Sequence, residues 1–143
     1  MAIQNSQTFI RVVSVIHHGI WRLSGGRLGP RLGKYDSLLL RTKGRKSGKL
    51  RVAPLIYFRD GDDILVVGSN GGNDRAPGWY YNILDNPNAT IDLGNERRKV
   101  VATVADAKQR AHLWPGIISV YPDYDEYQKR TDREIPVVVL ERR

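Results

Sequence analysis

Short turns separate the apolar runs in the middle of this chain, and they constrain its fold more than any other feature. Residues 37–43 and 50–59 read as strands joined across Gly44-Arg45-Lys46-Ser47-Gly48-Lys49. Asp60-Gly61-Asp62 leads into a third run, 63–69, with Ile64-Leu65-Val66-Val67 at its centre. Gly94-Asn95 divides 89–93 from 97–105, and a last run covers 135–141 with Val137-Val138-Val139. A parallel crossover needs about a dozen residues, usually a helix, whereas antiparallel neighbours close through a tight turn. The pattern therefore predicts six strands in antiparallel hairpins.

Helical segments fill the remaining stretches. Pro77 suits the first turn of a helix over 78–84, which Asp85-Asn86-Pro87-Asn88 stops. Asp106 is placed to cap a helix to residue 120, which Pro115 is expected to kink or split. A further helix is expected over 121–130. Apolar residues at Phe9, Val12, Val13, Ile16, Ile20 and Leu23 fall on one helical face, which predicts an amphipathic helix over 3–23. Ser24-Gly25-Gly26 ends it, and a basic linker follows with Arg27, Gly29, Pro30, Arg31, Gly33 and Lys34. The expected fold is α+β and mainly β. It is a small six-stranded antiparallel barrel, closed or half-closed, over 37–143 with helices outside it. The N-terminal helix and linker occupy 1–36.

Charge is uneven along the chain. The net value is +8. Residues 1–59 hold twelve basic residues against one acidic, a net +11, and residues 60–143 hold eleven against fourteen, a net −3. Between 37 and 59 there are seven Lys or Arg and no acid. A solvated hairpin tip normally mixes signs. A basic turn held by strands on both sides is a fixed grip for an anion, since its N–H groups form a concavity and Arg forks phosphate or carboxylate. Nucleic acid, an anionic membrane surface and a phosphorylated cofactor all satisfy that chemistry.

Three further stretches carry candidate chemistry. Ser69-Asn70-Gly71-Gly72 follows a strand directly, where glycines let a ligand approach the backbone. Trp79-Tyr80-Tyr81 opens the 78–84 helix; adjacent aromatics point in different directions, so at least one faces the core. Trp79 is the expected exposed ring. Tyr121, Tyr124 and Tyr127 form a stripe at i, i+3 and i+6, which reads as core or as a hydroxyl-rich wall over a pocket. The chain has no cysteine, and His17, His18 and His112 show no metal-ligand spacing, so no metal site is expected. There is no P-loop, Rossmann or Gly-x-Ser-x-Gly motif, no secretory signal at Met1 and no apolar run long enough to span a membrane.

These segments together resemble the deazaflavin-dependent nitroreductase family, split-β-barrel oxidoreductases related to flavin reductases of the pyridoxamine-phosphate-oxidase type. The resemblance runs from about 37 to 140. It rests on Gly44-Arg45-Lys46-Ser47-Gly48 with Arg51 and Pro54, on Ser69-Asn70-Gly71-Gly72, on Pro77-Gly78-Trp79-Tyr80-Tyr81-Asn82 with Asn86-Pro87, and on the stretch from Tyr121 to Pro136. It implies coenzyme F-420, whose tail carries a phosphodiester, a lactyl group and several glutamates. By analogy Arg45, Lys46, Ser47, Arg51 and Pro54 hold the phosphate and tail. Gly68, Asn70, Gly71, Arg75 and Trp79 meet the phosphate or ring. Tyr121, Tyr124, Tyr127 and Ser69 line the acceptor side. Many members carry Lys where this chain has Asn70; Arg75 and Lys43 are the candidates to replace that cation.

The implied reaction is hydride transfer from the reduced deazaflavin to a small electron-poor acceptor: a nitroaromatic, a quinone or an activated enone. A tyrosine hydroxyl or Ser69 then stabilises negative charge on the acceptor oxygen. FMN, whose phosphate suits the same grip, is the alternative cofactor. A basic nucleic-acid module, stacking bases on Tyr35, Tyr57 and Phe58, is the remaining alternative, and no nucleic acid is expected because the second half is acidic. The resemblance further implies an actinobacterial type of source, a separate dehydrogenase that reduces the coenzyme, and a monomer or homodimer. The expected location is cytoplasmic, or peripheral on the inner face of the cell membrane through the N-terminal helix.

Overall fold

The computed structural model describes residues 31–32 and 35–143. Its strands are β1 (Arg31–Leu32), β2 (Tyr35–Lys43), β3 (Leu50–Ile56), β4 (Phe58–Asp60), β5 (Asp63–Val67), β6 (Asn88–Leu93), β7 (Glu96–Val104) and β8 (Val137–Arg142). A 3-10 turn covers Asn70–Gly72, and the helices are α1 (Gly78–Asp85), α2 (Ala107–Val120) and α3 (Asp123–Lys129). Every strand pair is antiparallel, as the short turns require.

The sheet runs β1-β2-β6-β7-β8-β5-β4, with β3 attached to β2. β3 and β4 are one stretch of chain interrupted at Tyr57, whose N–H donates to the Asp36 carbonyl at 3.1 Å. Because β3 pairs with β2 and β4 with β5, the chain passes at Tyr57 from one end of the sheet to the other. That passage curls the sheet. The six expected strands thus appear as eight segments: the run 50–59 breaks at Tyr57, and β1 adds a two-residue strand within the basic linker. The helix expected over 3–23 lies outside the described residues.

Two apolar clusters share the sheet, and side-chain alternation explains how. Leu38, Leu40, Ile64, Val66, Ile91, Val100, Val138 and Leu140 fill the concave side together with Trp79 and Ile83 from α1. Leu65, Val67, Val137 and Val139 point the other way, against Ile117 of α2 and Tyr124 of α3. Successive residues of a strand face opposite sides. The unbroken runs 64–67 and 137–140 are therefore apolar throughout because both of their faces are covered. Leu140 is fully buried, so Leu140→Ala is expected to cost about 2–5 kcal/mol by urea denaturation.

Asp106 caps α2 as expected, its Oδ1 accepting from the Gln109 N–H at 2.8 Å. Pro115 lies inside α2 without ending it. Its ring removes one donor, and Ala111, four residues back, is exposed, so water can reach the carbonyl left unpaired. Among the described residues no helix is long and apolar enough to cross a membrane.

Candidate functional site

The turn between β2 and β3 is built to hold its shape. The Gly44 N–H donates to the Lys49 carbonyl and the Gly48 N–H to the Gly44 carbonyl, each at 2.8 Å. Ser47 Oγ accepts from the Lys49 N–H at 3.1 Å and from Arg51 Nη2 at 3.4 Å. A Cβ on Gly44 would sit 2.9 Å from Ser47 Oγ and 3.1 Å from the Lys49 carbonyl, so only glycine allows this closure. The turn is also latched to α1. Asn82, buried, accepts the Arg45 N–H at 3.1 Å and donates to Thr42 Oγ1 at 3.1 Å. Asn82→Ala would leave the Arg45 N–H and the buried Thr42 hydroxyl short of a partner. We expect it to cost about 1–3 kcal/mol by urea denaturation and to weaken anion binding at the turn.

A second rigid element stands beside it. In the loop after β5, Asn70 has φ +46, Gly71 φ +64 and Gly72 φ +81. The Gly72 N–H donates to the Ser69 carbonyl at 2.9 Å and the Asn73 N–H to the Asn70 carbonyl at 3.2 Å. The N–H groups of Asn70 and Gly71 have no acceptor among the described residues, which makes the pair a small anion nest. The Asn70 side chain is spent on the loop itself, donating to the Arg75 carbonyl at 2.9 Å.

Arg133 organises this loop from below. Its Nε donates to the Asn73 carbonyl at 2.8 Å, and Nη2 reaches the carbonyls of Ser69 at 2.9 Å, Gly68 at 3.2 Å and Arg75 at 3.4 Å. Four carbonyls drawn to one guanidinium fix the course of the loop. Gly68 packs under Pro136, 2.9 Å from where its Cβ would be, and α3 closes over Gly72.

The aromatics of α1 are arranged differently from the sequence expectation. Trp79 is buried in the concave core, and Tyr80 and Tyr81 are the part-exposed rings. Helical rotation decides this: Trp79, Asn82 and Ile83 share the face turned to the sheet. Tyr81 stands between two cations, with the Arg45 guanidinium 4.8 Å and that of Arg75 5.6 Å from its ring centroid. It thereby brings the basic turn and the 69–76 loop to one spot. Pro54 is buried in β3, while Lys46 and Arg51 are exposed.

The tyrosine stripe divides. Tyr124 is buried, edge-on to Phe58 at 6.0 Å, and belongs to the core. Tyr121 and Tyr127 are half-exposed, their rings 4.5 and 6.1 Å from that of Tyr124, and Tyr35 meets Tyr121 at 4.8 Å. Burial pushes the phenol of Tyr121 up, reinforced by its hydrogen bond to Tyr127, and burial likewise raises Tyr124. Both hydroxyls therefore stay protonated at neutral pH. The unfolded chain ionises first, near the ordinary value of about 10. Stability is then full below that pH and falls as pH rises past it. Chemical denaturation at pH 9 and again above pH 10 should show that loss, reduced in Tyr124→Phe.

The structure gathers Arg45, Ser47 and Arg51 on one turn and brings Arg75 to Arg45 across Tyr81. Ser69 and Asn70 lie in the neighbouring loop, and the stripe meets that loop where Tyr127 backs Gly72. None of Arg45, Lys46, Arg51 and Arg75 pairs with a carboxylate among the described residues. Sequence reading missed Asn82, Tyr81 and Arg133 as organisers of the site. All three lie in stretches that carried the resemblance, and only their contacts distinguish them. Among the described residues no group of three or more His, Asp or Glu could hold a metal ion.

The curled antiparallel sheet with its flanking helices is of the flavin-reductase-like kind. The chain belongs to the F420H(2)-dependent quinone reductase family, whose profile matches residues 14–142. An F420H(2)-dependent quinone reductase of Mycobacterium tuberculosis is 43% identical over 132 residues, spanning 90% of this chain and 89% of that protein. The solved structure of an F420-H2 dependent reductase, FDR-A, superposes with a TM-score of 0.68 at 36% identity, covering 73% of this chain and 93% of that one. A second solved chain, described as a domain-swapped dimer, also gives 0.68 at 36% identity over 73% of this chain and 79% of its own. Membership makes this protein an oxidoreductase that uses reduced coenzyme F-420, with quinones as its acceptor class.

Proposed function

We propose that Arg45, Lys46 and Arg51 hold the phosphate and first carboxylates of coenzyme F-420, with Arg75 and the Asn70 and Gly71 N–H groups completing the anion site. The observation that carries this reading is a set of cations without carboxylate partners, two of which, Arg45 and Arg75, meet across the Tyr81 ring beside the loop of Asn70 and Gly71. Such donors fit a polyanion. In this reading the curled sheet is a split β-barrel, and 37–143 is its cofactor-binding domain.

The reduced coenzyme, when bound, supplies a hydride with its electron pair. The chain supplies position and electrostatics. Ser69, Tyr121 and Tyr127 are proposed to face the acceptor, where a hydroxyl donates a hydrogen bond to the quinone oxygen as it gains charge. Tyr124 sits beneath them and fixes their rings. Because Tyr121 keeps its proton, its role as a donor is constant through neutral pH.

Tryptophan-fluorescence titration tests the reading, with FMN and a single-stranded oligonucleotide as comparators. Saturable quenching by F-420 is expected, weakened about tenfold or more in Lys46→Ala, since a charge-assisted contact contributes roughly 1.5–3 kcal/mol. Equal affinity for FMN, or no effect of Lys46→Ala and Arg51→Ala, would overturn the assignment. Tyr121→Phe and Tyr127→Phe should lower quinone turnover while leaving coenzyme affinity unchanged.

A further inference from the structure

One cation beside the site takes no part in the anion grip described above. Arg130 follows α3 directly, and its backbone N–H donates to the Tyr127 carbonyl at 3.1 Å. A cation at a helix C-terminus has an ordinary structural use, since the last carbonyls carry partial negative charge. Lys129 already serves that end, and it pairs with Glu126 at 3.2 Å. The Arg130 side chain goes elsewhere. Its guanidinium folds back over the Tyr127 ring, 5.2 Å from the centroid, and Nη1 reaches the Gly71 carbonyl at 3.4 Å. Arg130 thus stands at the seam between the tyrosine stripe and the loop after β5, and it is exposed there.

This placement holds a charge without neutralising it. Stacking on an aromatic face orients a guanidinium and leaves its N–H edge available. A guanidinium has five N–H donors, and the single hydrogen bond to Gly71 is long. Arg130 forms no ion pair with a carboxylate among the described residues. Asp74 is drawn to the same end of α3 by the Thr131 hydroxyl, which donates to it at 2.8 Å, and it does not pair with Arg130. The other arginines nearby are occupied differently: Arg133 by loop carbonyls, Arg45 and Arg75 at Tyr81. Tyr127, which carries the Arg130 guanidinium on its ring, is hydrogen-bonded to Tyr121, whose ring lies 6.5 Å away. The tyrosine wall therefore has a positive charge at its Tyr127 end.

We propose that Arg130 is a specificity-determining residue: it favours quinones that carry an anionic ring substituent, a carboxylate or a sulfonate, over neutral quinones of the same ring. The inference rests on the reading above that sets the acceptor against Tyr121 and Tyr127. An acceptor held there lies beside the guanidinium, and the oxygens of an anionic substituent accept paired bonds from its N–H edge. Because Arg130 is exposed, its contribution is modest and is screened by salt. A neutral quinone makes no such contact and relies on the hydroxyls alone.

The test measures kcat/KM with reduced F-420 for two acceptors, an unsubstituted naphthoquinone and its ring-sulfonated counterpart, in wild type, Arg130→Gln and Arg130→Glu. Following each compound across the variants removes the difference in intrinsic reactivity between the two. At low salt Arg130→Gln should lose about fivefold on the sulfonated acceptor, the upper range for an exposed ion pair, and keep wild-type turnover of the neutral one. Arg130→Glu should lose more on the sulfonated acceptor, and high salt should shrink both losses. Coenzyme affinity and melting temperature should match wild type in Arg130→Gln. Equal losses on both acceptors, or weaker coenzyme binding, would make Arg130 a support of the Gly71 loop or a part of the coenzyme site, and would overturn the proposal. Tyr127→Phe separates the proposal from the reading beneath it. If Tyr127→Phe is impaired with both acceptors and Arg130→Gln with neither, the proposal alone falls. If neither variant changes turnover of either acceptor, the acceptor binds away from the wall and both fall.

Discussion

Gly72→Ala should destabilise the protein by about 3 kcal/mol and strip the proposed anion site of its shape. Gly72 has φ +81, a conformation that costs a side-chain-bearing residue roughly 1–3 kcal/mol. A Cβ there would also lie 2.8 Å from the Tyr127 carbonyl oxygen, 3.1 Å from the Tyr127 Cα and 3.2 Å from the Arg130 Cβ. Two of those atoms are backbone of α3, so rotation of a side chain gives no relief. The helix must lift or the loop must sink. Either motion separates the nest at Asn70 and Gly71 from Tyr127. Gly61→Ala is the matched control. Its φ is +61, yet nothing lies within 4 Å of an added Cβ, so it pays the conformational cost alone. The melting temperature of Gly72→Ala should therefore fall well below that of Gly61→Ala, by several degrees. Coenzyme affinity should fall only in the former. Equal melting points would show that α3 does not clamp the loop.

What could be read from the sequence was what depends on local pattern. Gly94-Asn95 and Asp60-Gly61-Asp62 announced hairpins because turn chemistry is written in two or three residues. The Asp106 cap and the apolar strand runs 64–67 and 137–139 were visible for the same reason. The break at Tyr57 was not, because it depends on β3 pairing with β2 while β4 pairs with β5, and a strand's partner is not written in its own residues. The burial of Trp79 was not legible either, because sequence gives the order of three aromatics and not which of them helical rotation turns inward. The proposed anion site was legible as charge: seven cations without an acid over 37–59. Its architecture was not. Asn82 is 37 residues from the Arg45 N–H that it accepts, and Arg133 lies 64 residues from the Ser69 carbonyl that it holds. Contacts over such separations leave no periodic trace.

Arg133 carries the second large effect, and its two substitutions should separate loop order from fold. Its guanidinium serves the carbonyls of Gly68, Ser69, Asn73 and Arg75. Burial lowers its pKa, countered by Tyr81, Asp74 and Tyr80, but the ordinary value is so high that it stays charged. Arg133→Met leaves those acceptors without their shared donor. Hydrogen bonds to a charged group contribute roughly 1.5–3 kcal/mol each and do not add, so a loss of about 3–4 kcal/mol is expected. Arg133→Lys keeps the charge and most of the side-chain volume, yet a single ammonium cannot reproduce the planar fork that spans Asn73 and Ser69. We therefore expect the lysine variant to fold, with a melting point within a few degrees of wild type, and to bind coenzyme at least tenfold more weakly. The loop that carries Asn70 and Gly71 keeps its course while the fork holds the Ser69 and Asn73 carbonyls on either side of them. A lysine variant with wild-type affinity would mean that positive charge alone orders the loop, and that the nest forms without the fork.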